Sequence, residues 1–317
     1  MKKITIKFPD NTSIQVENEI CPLTLMKHFG DNGQKIMAVK VNNEVQPLDT
    51  VVDINAYLEP VYENTKEGAA IYRRSLCFLL AAAAHKLFPD SRLLVGHSLG
   101  YGYYYTIDKD SPLTPENIAR LKEEMLSIVK DDRLIEPDFI SYEDACTLLE
   151  TLRLVESRKQ LNYRAAAKIK INRLDDFADI YFGPLVSSTS ELNVFDLMPY
   201  HEGFLLRFPK HSEPDRLPDF VDEPKLFEIY SKYKKWGKRL GVTSAGSLNQ
   251  LIHDRKVNEF IDITETLQVK CIADIADQIK NRKSVRVVLI AGPSYLEKPR
   301  RAKSLPSSSR PLDTRRR

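Results

Sequence analysis

Cysteine is scarce in this chain of 317 residues: Cys21, Cys77, Cys146 and Cys271 stand far apart, and none forms a CxxC or a Cys/His pair at metal spacing. They read as reduced, buried thiols, and no metal site is expected. Long apolar runs are missing as well. No stretch approaches the roughly 20 residues that span a bilayer, and MKKITIKFPD at the start has no apolar signal core behind its lysines. No membrane partner is expected, and a cytoplasmic location follows. The chain also lacks an excess of charge of one sign. Its 47 Lys and Arg against 44 Asp and Glu leave a net +3, several of the positive charges fall in the last residues, and without those the balance turns slightly acidic. Bulk charge therefore gives RNA or tRNA no support as a partner, although a local basic patch stays open. What is present is apolar content: 42% hydrophobic residues allow sizeable cores, and the length favours about two or three domains.

Ile4, Ile6 and Phe8 alternate with polar residues, Pro9-Asp10-Asn11 turns the chain, and Ile14 and Val16 alternate again, which is a hairpin pattern. A short helix over Pro22 to Phe29 stops at Gly30. Ala38 to Val41, Asn42-Asn43 and Val45 give a second hairpin, and Val51 to Leu58 one more strand. Residues 1–62 thus form a β-grasp unit. A long helix, Ala69 to Phe88, follows a polar linker, and residues 93–108 read as strands around a glycine turn. Thr114 with Pro115, and Ser141, cap two further helices. Later strands are expected at Ala178 to Phe182 and Gly203 to Phe208. From Lys225 the chain is helical, with helices starting at Lys225, Ser247 and Val257, the last burying Leu267, Cys271, Ile275 and Ile279.

The stretches KITIKFPDNTSIQV and AVKVNNEVQPLDTVV resemble a TGS domain, the module at the N-terminus of threonyl-tRNA synthetases and of some GTPases and nucleoside kinases. Residues 68–217 resemble the editing-type α+β domain that follows TGS in those synthetases and is shared with alanyl-tRNA synthetases. RRSLCFLLAAAAHKLFP, VGHSLGYGYYYTID and DIYFGPLVSSTSELNVFDL carry that match. The resemblance implies two histidines four apart on the long helix, then a cysteine and a histidine four apart. Placed on those positions, this chain has Phe78 and Ala82, then Tyr181 and Leu185. Editing chemistry is accordingly not expected, and no catalytic residue is assigned. A ligand cleft is expected instead around Arg73, Arg74, His97, Tyr103 and Tyr105, with Tyr101 and Tyr104 beside them, able to stack a base or hold a phosphate.

After a helical connector, 218–283, the run VRVVLIAGPS opens like a phosphate-binding loop. Gly292 and Lys298 match that pattern, but Glu297 and Pro299 break it, leaving an incomplete cofactor-binding site over 284–299. A shifted reading of codons for Tyr295 to Pro299 spells Ser-Gly-Lys-Thr. Residues 300–317 are therefore expected to be a disordered, out-of-frame tail. The domain order resembles the uridine kinase-like nucleoside kinases with synthetase-type N-terminal domains. That implies an intact parent that binds ATP, Mg²⁺ and a nucleoside and phosphorylates the nucleoside, and a present chain that is inactive and holds no cofactor. The alternative is a non-enzymatic module that binds RNA, tRNA or a small regulatory ligand. The expected fold class is α+β.

Overall fold

The computed structural model of the chain describes residues 3–30, 33–108, 113–164, 166–282, 284 and 286–289. They fall into two compact units, Met1–Arg239 and Leu240–Arg317.

In the first unit, β1 (Lys3–Lys7) and β2 (Ser13–Glu17) pair as the expected hairpin, with Ile4 opposite Val16 and Ile6 opposite Ile14. The helix over Pro22–His28 is of the tight 3-10 kind, and Gly30 takes φ +71 just after it. β3 (Ile36–Val41) and β4 (Glu44–Gln46) are joined through Asn42 and Asn43, at φ 51 and 70, the left-handed pair that a two-residue hairpin turn requires. β5 (Ala56–Tyr62) completes a sheet of order β2-β1-β5-β3-β4. The strand expected at Val51 to Leu58 therefore begins five residues later. Val52 makes only an isolated bridge with Ile20, and the Asn55 side chain accepts the Thr5 N–H at 2.8 Å, drawing the start of β5 beside β1. Ile4, Ile6, Phe8, Leu25, Val39 and Leu58 form this sheet's core.

Helix α1 (Lys66–Leu87) starts where the Thr65 hydroxyl accepts the Gly68 N–H at 3.0 Å. Its alanines let neighbouring elements approach closely: Ala82, Ala83 and Ala84 are all buried. β6 (Arg92–Ser98), β7 (Gly102–Asp108), α2 (Pro115–Lys130), β8 (Glu136–Ser141), α3 (Tyr142–Thr151), α4 (Val155–Leu161), β9 (Lys168–Leu174), β10 (Phe177–Asp179), β11 (Asp196–Tyr200), β12 (Gly203–Arg207) and α5 (Pro224–Arg239) follow. Thr114 and Ser141 cap α2 and α3 as expected. The strands make an antiparallel sheet of order β11-β12-β7-β6 and a smaller one of order β10-β9-β8. The sequence pattern does not mark β8, β9 or β11, and it runs the strand of β10 on to Phe182, where the chain has already left the sheet.

The alternation of β7 decides which residues share a site. Tyr103, Tyr104 and Tyr105 pair with Leu206, Leu205 and Phe204 of β12, so the middle residue points away from its neighbours. Tyr105, Phe204 and Leu206 join the core under α1, with Tyr103 packed against it. Tyr104 and Leu205 form a separate cluster with Leu226 and Phe227 of α5. One face of the sheet carries α1 and the other carries α5.

The second unit contains α6 (Ala245–His253) and α7 (Val257–Asn281). The cap of α6 is Ser244 rather than Ser247, which sits three residues on and completes a reciprocal capping box. On α7, Ala276 takes the buried position and Ile275 is 48% exposed, one residue away from the expected face. These two units together have the α+β architecture expected from the sequence.

Candidate ligand cleft

A cleft of about 1000 Å³ opens between α1, the β6–β7 hairpin and the segment from Leu152 to Ser157. Its aromatic wall is made by Tyr103, Tyr105, Phe177 and Tyr181, all drawn from strands or the turn after β10. Cys77, Ala81 and His85 of α1 complete it, spaced so that one helix stripe faces the opening. The Tyr105 hydroxyl bonds to the Cys77 sulfur; burial pushes both groups up, so both stay protonated at neutral pH. Burial also pushes Asp179 up to about 6, against the hydrogen bonds it receives from Ser157 and from the Ile180 N–H at 2.7 Å. His85 is held below its usual value by burial, its ring 5.5 Å from Phe177.

The rim is charge-balanced. Arg92 pairs with Asp108, and Arg153 pairs with Asp90. A cleft of this kind selects a flat, largely neutral group over a phosphate, because its cations already face carboxylates and its walls are rings.

Of the expected site residues, Tyr103, Tyr105 and His97 line this cleft, and Arg73 and Arg74 do not. The His97 ring leaves the tyrosine wall. It stacks on Tyr230 of α5 at 4.4 Å and leans on Tyr104, which faces the opposite side of the sheet from Tyr103 and Tyr105. A register shift between Val95 and Ser98 turns it there. Its Nε2 is buried with no hydrogen-bond partner, and burial, helped by Lys234, keeps the ring neutral. Arg73 lies over the Phe208 ring at 5.4 Å. Arg74 donates to the Pro184 carbonyl at 2.8 Å, and burial lowers the pKa of its guanidinium. Both arginines brace the fold. Tyr101 lies outside the cleft and is met by the Lys210 ammonium 5.0 Å from its ring centre. Sequence reasoning did not find Asp179, Phe177, Cys77 or His85. Cys77, Ala81 and His85 follow one another at intervals of four on α1, a helical stripe that was legible in principle.

The positions that the synthetase resemblance marks as replaced also meet in space. Phe78 is fully buried, edge-on to Tyr181 at 5.2 Å and 5.5 Å from Phe177. Arg74, Ser75 and Phe78 of α1 contact the Tyr181–Val186 segment. Among the described residues, no three His, Cys, Asp or Glu side chains stand close enough to hold a metal ion. Among them, too, no helix is long and apolar enough to cross a membrane. Gly292, Lys298 and the expected tail lie outside the described residues, so the ATP and Mg²⁺ expectation falls where nothing is described. Residues 286–289 are described and are not in a strand.

No protein-family model matches the chain. It is 28% identical to a threonine–tRNA ligase of Pelobacter propionicus over 199 residues, 62% of this chain and 31% of that protein. Against the threonine–tRNA ligase of Clostridioides difficile the identity is 26% over 263 residues, 76% of this chain and 39% of the relative. With that of Desulforamulus reducens it is 33% over 169 residues, 52% and 26%. The chain thus spans about a third of the length of these relatives. The synthetase part of the sequence resemblance is borne out. The nucleoside-kinase reading is overturned: these relatives are ligases of threonine to tRNA, and the kinase, P-loop and nucleoside assignments rested on a domain order and a broken loop that the similarity to synthetases does not need.

Proposed function

We propose that this chain is a non-enzymatic tRNA-binding module whose cleft receives the unpaired end of a tRNA. The observation that carries the reading is the aromatic cleft itself, walled by Tyr103, Tyr105 and Tyr181 at a place where the rim cations are already paired. A terminal base is flat and its nucleoside is neutral, and base–aromatic stacking contributes about 1–3 kcal/mol per base. Similarity to threonine–tRNA ligases over more than half of the chain supports tRNA as the partner. Phe78 and Tyr181 fill the replaced positions with rings that pack on one another, which supports binding without hydrolysis.

The test is titration of the full chain with unfractionated deacylated tRNA, followed by competition with adenosine. Saturable binding that Tyr103→Ala weakens about tenfold, with no release of amino acid from mischarged threonyl-type tRNA, is the expected result. Absence of binding at high micromolar tRNA overturns the partner, and turnover of aminoacyl-tRNA overturns the non-enzymatic reading.

A further inference from the structure

The other face of the sheet carries charge that the cleft lacks. Between Pro224 and Arg239, α5 holds six cations, Lys225, Lys232, Lys234, Lys235, Lys238 and Arg239, against the single carboxylate Glu228. Helical spacing divides them by role. Leu226 and Phe227 pack on Tyr104, Leu205 and Tyr200, and Phe227 stacks flat on His201 at 4.2 Å and 8°. That leaves Lys232, Lys235, Trp236 and Arg239 on the outward side, where with Phe227 and His201 they line a groove of about 590 Å³. The Lys232 ammonium lies 5.4 Å from the centre of the Trp236 ring, and Tyr233 meets that ring edge-on at 5.3 Å. Tyr233 and Ile229 are 54% and 52% exposed. No residue of α5 is fully buried.

We infer that this groove is a docking surface for single-stranded RNA, in which Trp236 stacks a base while Lys232, Lys235 and Arg239 hold the phosphates around it. Charge complementarity selects an anionic occupant, since three cations border the groove and one carboxylate opposes them. The rings select one with flat faces: a face offered by Trp236 beside cations a helical turn apart matches the alternation of base and phosphate along an unpaired strand. The inference extends the proposed tRNA reading to a second contact surface, with its own readout. Because Trp236 is the chain's single tryptophan, its emission reports on this groove and nowhere else.

The experiment titrates the full chain with a short single-stranded oligouridylate, the same length of duplex RNA, and phosphatidylserine vesicles, reading tryptophan emission. A saturable quench by the single strand, with a log–log salt slope of about −2 for three neutralised phosphates, is expected. The duplex should quench far less. By anisotropy of labelled oligouridylate, Trp236→Ala should weaken binding about fivefold or more, and the triple charge reversal Lys232→Glu, Lys235→Glu, Arg239→Glu should abolish it. Circular dichroism showing an unchanged melt keeps these losses from being misread as unfolding. Equal quenching by duplex, a response to vesicles alone, or no quench overturns the inference. The two readings fail separately: tRNA binding that depends on Tyr103 and ignores Trp236 sinks this groove only, whereas oligouridylate quenching without tRNA binding sinks the cleft reading only.

Discussion

Ser75 on α1 accepts the Val186 N–H at 2.9 Å while donating to the Ile71 carbonyl at 2.9 Å, and its side chain is wholly buried. One hydroxyl thereby fixes the segment carrying Tyr181 against the helix carrying Cys77 and Phe78. Replacing it with alanine removes the acceptor and leaves the Val186 N–H buried and unpaired, which costs about 1–3 kcal/mol. Ser75→Ala is expected to lower the thermal midpoint by roughly 2–4 °C for each of those. A midpoint unchanged within a degree by calorimetry would show that the bond is replaced by water.

Asp179 gives the cleft a pH signature. Its pKa rises on folding from 3.8 to about 6, so between those values the folded chain binds a proton that the unfolded chain has released. Stability from this group is therefore highest below about pH 4, falls as pH rises, and is lost above about 6. Asp179→Asn removes the penalty while keeping an acceptor for the Ile180 N–H. The variant should match the parent near pH 4 and exceed it by up to about 3 kcal/mol at pH 7 to 8. Thermal melts at the two pH values check this. A difference that is constant with pH would show that Asp179 titrates normally.

Thr189 repeats the Ser75 arrangement at the far end of α2. Its buried hydroxyl donates to the Ile128 carbonyl at 2.9 Å and accepts the Arg133 N–H at 2.8 Å, tying the turn before β11 to the end of the helix. Thr189→Val keeps the shape and orphans both groups. An expected loss of about 1–3 kcal/mol is measurable by urea unfolding, with an unchanged slope if the fold is kept.

Local chemistry made much of this fold legible. Thr114 and Ser141 mark helix starts through hydroxyls that accept the N–H three residues on, and Asn42-Asn43 marks a turn that needs positive φ, whereas the long helix begins at Lys66 behind Thr65, three residues before the expected Ala69. The misses have one physical source, which is that pairing partners are distant in sequence. β5 starts at Ala56 because Asn55 is bound by Thr5, fifty residues earlier. β9 lies between β8 and β10, whose strand residues look polar and loop-like when read alone. The same limit split the candidate site: three consecutive tyrosines could be expected to line a pocket, but only the pairing of β7 with β12 shows that Tyr104 belongs with α5. His97 is close to the tyrosines in sequence, but a register shift between Val95 and Ser98 that no local pattern announces turns its ring away from them.

Phe78 offers the sharpest check on the cleft wall. It is fully buried between Tyr181 and Phe177, so a histidine there gains no acceptor and must stay neutral to avoid a desolvated charge. Its folded pKa would lie below the unfolded value of about 6.5, and stability would be lost as pH falls through that value, because the unfolded chain then binds the extra proton. Phe78→His is expected to be less stable than the parent by about 1–3 kcal/mol at pH 8, with a gap that widens at pH 5. Phe78→Leu, which keeps the wall apolar, should show a loss that does not vary with pH. Melts of both variants across that range distinguish a packed aromatic wall from a site already open to water, in which the histidine would titrate normally and the two variants would respond to pH alike.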